Sequence, residues 1–125
     1  MDLDPDLIPL YLVLAGFVVV LISDLIGNTI AFSNRLVNAV VTGVVFTIIF
    51  GGIAWYILNN VTENPVPQSQ AILVVLFGGV VVVISDLIGN SIAFGNRIVN
   101  ALVTGTVFAV IFGAILFYGI LPASA

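Results

Sequence analysis

Four predominantly apolar runs, at residues 7–32, 36–58, 70–94 and 98–121, constrain what this chain can become more than any other feature. Each meets or exceeds the roughly 20 residues that a helix needs to cross the hydrocarbon of a bilayer. Within hydrocarbon, every backbone N–H and C=O has to be satisfied internally, so a spanning run of this kind is a helix. Of the 125 residues, 62% are hydrophobic and only 6% charged, too little polar surface to wrap these runs in a water-soluble domain. The sequence therefore predicts an all-α integral membrane protein of four transmembrane helices, with the lipid bilayer as its solvent. An acidic start, two short connections, a central linker and a brief tail are all that remain, so any function is expected to be carried out within the membrane.

The chain also repeats itself. Displaced by 62 residues, positions 20–56 align with 82–118, and 26 of the 37 pairs are identical. Ser-Asp-Leu-Ile-Gly-Asn stands at 23–28 and again at 85–90; Asn34-Arg35 and Asn38-Ala39 recur as Asn96-Arg97 and Asn100-Ala101. Self-similarity of this kind marks an internal duplication. Residues 1–62 and 63–125 are read as two copies of one helical hairpin. Each copy crosses twice and returns to its starting side, so the copies are expected to be parallel and related by a pseudo-two-fold axis along the membrane normal. The stretch 59–69, with Pro65 and Pro67, reads as a plain loop between them.

Orientation rests on two residues. Arg35 and Arg97 are the only basic side chains, and both stand at hairpin tips. Basic residues favour the cytoplasmic side, which places the tips inside and the termini and central linker outside. Asn60-Val61-Thr62 is then an outward-facing glycosylation sequon. Tyr11, Trp55, Tyr56 and Tyr118 fall near the outer interface, where amphipathic rings are favoured. The start, Met1-Asp2-Leu3-Asp4-Pro5-Asp6, is acidic where a signal peptide would be basic, so the first helix is expected to be retained. The lysine-free, acidic, valine-rich composition resembles that of halophile proteins, pointing to an archaeal membrane or the internal membrane of an archaeal virus.

Asp24 and Asp86 demand a reason, because a carboxylate at bilayer depth costs about 2.5–3.5 kcal/mol even on insertion scales. Asn28 follows Asp24 by one helical turn, and Asn90 follows Asp86, so each first helix carries an Asp-Asn stripe on one face. On the second helices, Asn38 and Thr42, and likewise Asn100 and Thr104, are four apart. Counting outward from each tip brings Asn28 level with 38–40 and Asp24 level with 42–45. A polar cluster of Asp24, Asn28, Asn38 and Thr42, with Asp86, Asn90, Asn100 and Thr104 from the other copy, is therefore expected in the inner half of the bundle. It serves either as glue between helices, since polar side chains bridge helices that no hydrophobic force drives together in lipid, or as the lining of a cation or proton path. Arg35 or Arg97 reaching from a tip is a further candidate partner for the aspartates. Ser23 and Ser85 are read as lying within continuous helices and bonded to their own preceding turn; the alternative is a helix break capped by Ser-Asp.

Small residues recur every four positions along the second helices, at Ala39, Gly43, Thr47 and Gly51 and at Ala101, Gly105, Ala109 and Gly113. Such ridges let backbones approach closely. They are expected to join the two hairpins or to recruit a neighbouring subunit. Phe46, Phe50, Phe108 and Phe112 are read as lipid-facing or packing residues. The chain has no cysteine or histidine, which removes disulfides, thiol chemistry and the commonest transition-metal ligands. No catalytic residues, metal, cofactor, nucleic acid or small-molecule substrate is expected. The leading expectation is a non-catalytic structural or assembly subunit of a membrane complex, as a homo-oligomer or with other membrane subunits. The alternative is a small ion channel or transporter that uses the paired Asp/Asn cluster.

Overall fold

The computed structural model describes residues 7–31, 33–57, 68–93 and 95–120. Four helices account for nearly all of them: α1 (Ile8–Ala31), α2 (Arg35–Tyr56), α3 (Gln68–Ala93) and α4 (Arg97–Ile115), the last continuing as a π-helical turn over Leu116–Ile120. All four are long and apolar enough to cross a membrane. No strand occurs among the described residues. Gln68 and Ser69, read from sequence as linker, form the first turn of α3; polar side chains are at home there, where the backbone N–H groups have no intrahelical partner. The sequon at Asn60 lies outside the described residues, as do the acidic start and both tip phenylalanines, Phe32 and Phe94.

The two tips are built alike. The Asn34 N–H bonds to the Ala31 carbonyl at 3.3 Å, and the Asn34 side chain accepts from the N–H groups of Leu36 and Val37, both at 3.1 Å. Asn96 repeats the arrangement with Ala93, Ile98 and Val99 at the same distances. A short side-chain acceptor on extended backbone is what a helix start requires. Asn34 and Asn96 meet that need, with φ near −122° and −128°. The chain thus leaves one helix and enters the next within a single turn, which forces consecutive helices to lie antiparallel and adjacent.

Each helix packs along its chain neighbours and α4 closes on α1, producing an up-down-up-down four-helix bundle in which α1 and α3 stand diagonally. The small-residue ridges lie between the hairpins. A Cβ on Gly43 would run into the Val83 side chain of α3, and one on Gly105 would meet Phe17 and Leu21 of α1 at 3.0 and 3.1 Å. Farther along, Gly51 faces Val75 at 3.5 Å and Gly113 faces Val13 at 3.8 Å. The ridge of α2 therefore seats on α3 and that of α4 on α1.

Burial recurs with the helical period. In α1, Leu12, Gly16, Val19, Val20, Ser23, Asp24, Gly27 and Asn28 turn inward, and α3 buries the equivalent run from Val74 to Asn90. The outward face is the more apolar one: Ile30, Ile48, Ile92 and Val110 are 66–72% exposed, whereas both aspartates are 0% exposed. Along the axis the interior is layered, with polar side chains near the tips and Phe46, Phe50, Phe108 and Phe112 beyond them. All four rings are fully buried. Phe46 stacks on Phe50 at 4.8 Å and Phe108 on Phe112 at 4.9 Å, and edge contacts of 5.2 and 5.8 Å join α2 to α4 across the axis. Of the two readings offered for these phenylalanines, packing is the one the structure shows and the outward-facing one falls: Gly16 and Gly78 leave the space their rings fill, an added Cβ at either meeting ring carbons at 2.8 to 3.5 Å.

Candidate functional site

The eight polar residues singled out from sequence come together in one cluster. Each is at most 1% exposed. In the first hairpin the Thr42 hydroxyl donates to Asp24 Oδ1 at 3.3 Å, while Asn28 Nδ2 donates to Asp24 Oδ2 at 3.5 Å. In the second, Thr104 donates to Asp86 Oδ1 at 3.1 Å and Asn90 Nδ2 to Asp86 Oδ2 at 3.5 Å. All four carboxylate oxygens thus meet a donor. Behind these contacts, Asn38 donates to Asn28 Oδ1 and Asn100 to Asn90 Oδ1, both at 2.5 Å. Those bonds hold the carbonyl end of each inner amide and leave its NH2 turned toward the aspartate.

Gly27 and Gly89 make this pairing possible. A Cβ on Gly27 would collide with the Thr42 hydroxyl and lie 3.3 Å from both the Asn38 carbonyl oxygen and the Thr42 nitrogen; Gly89 stands in the same relation to Thr104 and Asn100. The helices of each hairpin press close together where the Asp-Thr bond forms. A bulkier residue there would separate the two groups.

The hairpins then interlock. Asn28 Nδ2 also donates to the Arg97 carbonyl at 3.4 Å, and Asn90 Nδ2 to the Arg35 carbonyl at 3.1 Å. Asn90 Nδ2 additionally reaches Asn38 Oδ1 at 3.4 Å. The arginines engage the cluster through their main chain, while their side chains stand exposed at the start of α2 and α4. The two carboxyl groups interact directly across the axis, and Thr42 lies within hydrogen-bonding reach of both. The partners of the aspartates are therefore hydroxyls, amides and each other.

Three buried polar atoms in this region have no partner: Ser23 Oγ, Ser85 Oγ and Asn100 Oδ1. The two serines sit in unbroken helices, so the helix-break alternative fails. Their hydroxyls do not bond back to the preceding turn, which corrects that expectation. Asn100 Oδ1 departs from the repeat, since its counterpart Asn38 Oδ1 accepts from Asn90. Asn28, the residue that would complete the match, spends its donors on Asp24 and Arg97.

Sequence reasoning missed the roles of Gly27, Gly89, Gly16 and Gly78, and the use of the arginine carbonyls. The signal for the glycines was available: both pairs are separated by 62 residues, the period of the duplication. Nothing in a side-chain pattern marks a main-chain acceptor. Chemically, the cluster offers two carboxyl groups and a surplus of neutral oxygens, a set suited to holding a proton or a hard cation. No group of three or more His, Cys, Asp or Glu side chains able to hold a metal occurs among the described residues. No protein-family model, curated protein or solved structure matches this chain.

Proposed function

We propose that the chain is a non-catalytic structural or assembly subunit of a membrane complex, spanning the bilayer four times as two parallel hairpins related by a pseudo-two-fold axis. The tips lie inside; the termini and the linker lie outside. The observation that carries this reading is the inside-out distribution of polarity. Apolar side chains cover the outward faces of all four helices, while every helix contributes polar side chains to a closed interior. Lipid solvates the former surface, and water would not. The composition favours an archaeal or archaeal viral membrane as its setting.

Because the ridges of Gly43 and Gly105 are taken up between the hairpins, assembly with further copies or other subunits is assigned to the outward faces. One such face is a shallow groove of about 360 Å³ along the α2–α3 seam, lined by Val40, Val44, Ile48, Leu76 and Val80 and also by the seam residues Gly43 and Thr47. A second reading, a small channel or transporter, draws on the two aspartates facing each other across the axis. Against it stand the four phenylalanine rings that fill the axis beyond the cluster.

Two experiments test the proposal. The chain lacks cysteine, so single cysteines at exposed Ser69 and Ser33 report topology without background. Ser69→Cys should react with an impermeant reagent added outside, and Ser33→Cys should not; the opposite pattern overturns the orientation. Native-membrane purification should yield a stoichiometric assembly, and vesicles of the purified chain should show no selective ion flux. Flux abolished by Asp24→Asn with Asp86→Asn would replace the structural reading with the channel.

A further inference from the structure

We propose that the tip end of the bundle is a binding face for anionic phospholipid headgroups, with Arg35 and Arg97 each taking one lipid phosphate. The chain has two basic residues, and the fold brings both to one end: Arg35 is the first residue of α2 and Arg97 the first of α4. Both are exposed. The helix starts themselves are not what is on offer, because Asn34 and Asn96 already accept from the N–H groups of the two residues after each arginine. What the rim presents is guanidinium, a planar fork whose paired N–H donors match the oxygens of a phosphate.

Among the described residues nothing acidic shares that rim. Asp24 and Asp86 are fully buried, and Asp24 bonds to Thr42, which lies about 10 Å along α2 from Arg35. Asp2, Asp4, Asp6 and Glu63 stand in the sequence before α1 and between α2 and α3, next to helix ends that are all opposite the tips. The neighbours of the arginines fix their depth. Ile30, Leu36, Ile92 and Ile98 are 62–68% exposed, so each arginine stands beside an apolar collar. In a bilayer that collar lies in hydrocarbon and the arginines lie at the level of the lipid phosphates.

The fold also fixes where the two charges stand. The Arg35 carbonyl accepts from Asn90 and the Arg97 carbonyl from Asn28, each bond crossing between hairpins. The main chain of both arginines is thereby tied to the buried cluster while the residues themselves remain at the surface. A zwitterionic lipid such as phosphatidylcholine carries its own cation beside its phosphate, whereas phosphatidylglycerol does not. Each arginine should therefore favour the anionic headgroup roughly 5-fold. The inference rests on the bundle spanning a bilayer, and neither on which side the tips face nor on assembly with partners.

The test uses the full chain in vesicles of mixed phosphatidylcholine and phosphatidylglycerol, with a fluorophore attached through Ser33→Cys beside Arg35 or, in a separate protein, through Ser69→Cys at the far end. Quenching by acyl-brominated forms of the two lipids gives their relative affinity at each probe. At position 33 phosphatidylglycerol should be favoured roughly 5-fold, the preference shrinking as salt rises because exposed charges are screened; at position 69 no preference for it is expected. Arg35→Gln with Arg97→Gln should bring the two lipids to parity at position 33, and Arg35→Lys with Arg97→Lys, which keeps both charges, should retain the preference. Equal quenching by both lipids at position 33 of the otherwise unaltered chain overturns the proposal. So does a preference that survives the glutamine pair, is lost in the lysine pair or is matched at position 69. A preference removed by millimolar inorganic phosphate also overturns it, since the face would then bind a free anion and not a lipid. Failure of the bilayer-spanning reading gives a different result, in which neither lipid quenches either probe.

Discussion

Replacing Gly27 by alanine adds one methyl group at the tightest point of the first hairpin. The new Cβ would overlap the Thr42 hydroxyl, and the Asn38 carbonyl oxygen and Thr42 nitrogen at 3.3 Å leave the backbone no room to absorb it. Thr42 would have to abandon Asp24, forfeiting a buried hydrogen bond worth about 0.5–1.5 kcal/mol. Forcing the helices apart adds about 1–3 kcal/mol of overpacking. The intrinsic preference of helices for alanine over glycine returns about 1 kcal/mol. A net destabilisation of roughly 0.5–3.5 kcal/mol follows. The control is Gly52→Ala, an exposed position with nothing within 4 Å, where the same chemical change should be neutral or slightly stabilising. Unfolding in mixed micelles, followed by circular dichroism, compares the two. A double-mutant cycle with Thr42→Ala sharpens the test, because once the hydroxyl is gone the alanine at 27 has less to displace and the combined cost should fall below the sum of the single costs. Equal stability of the Gly27→Ala and Gly52→Ala proteins, or a fully additive cycle, would refute the reasoning.

Phe46→Ala and Phe108→Ala each empty a fully buried ring position and should cost about 3–5 kcal/mol, read from the same unfolding curves; a loss below about 1 kcal/mol would mean the rings face lipid. Gly43→Leu should be more disruptive than Gly51→Leu, since a Cβ at Gly43 already runs into Val83 whereas one at Gly51 stays 3.5 Å from Val75; equal stability of the two variants would show that the ridge has slack throughout. Asp24→Asn should be tolerated for folding, because asparagine keeps an acceptor for Thr42. Asp24→Leu should not be, because Thr42 and Asn28 are stranded where no water replaces the lost partner, at about 1–3 kcal/mol each; normal folding of the leucine variant would remove the cluster from the list of forces holding the bundle.

What the sequence revealed follows from what long apolar helices leave visible. Length and hydropathy marked four helices, and their observed bounds differ from the apolar runs by a few residues, because chain ends such as Gln68 and Ser69 are polar yet helical. Pairings within a hairpin were legible because a tight tip and a fixed rise per residue leave one register: residues level with each other across the tip sum to a constant, as Asp24 with Thr42 and Asn28 with Asn38 do. Pairings between hairpins were not. No tip connects α2 to α4, so neither the facing of Asp24 on Asp86 nor the reach of Asn28 to the Arg97 carbonyl could be counted out.

The phenylalanines show why apolar side chains are the harder problem. In water a buried ring and an exposed ring differ by a large transfer free energy, so periodicity alone assigns the inward face. In the bilayer proposed for this chain both surroundings are hydrocarbon, and that difference vanishes. What decides the position of Phe46, Phe50, Phe108 and Phe112 is shape: Gly16 and Gly78 leave openings on α1 and α3 at the level where the second helices carry their rings. Glycine in a membrane helix is therefore informative where phenylalanine is not. The pairs Gly16/Gly78 and Gly27/Gly89 share the period of the duplication, and each marks a point where a neighbouring helix presses close. One pair admits rings to the axis and the other admits a hydroxyl to a carboxylate. The closed half of the bundle and its polar half are thus set by the same device, the omission of a side chain at a fixed place in each repeat.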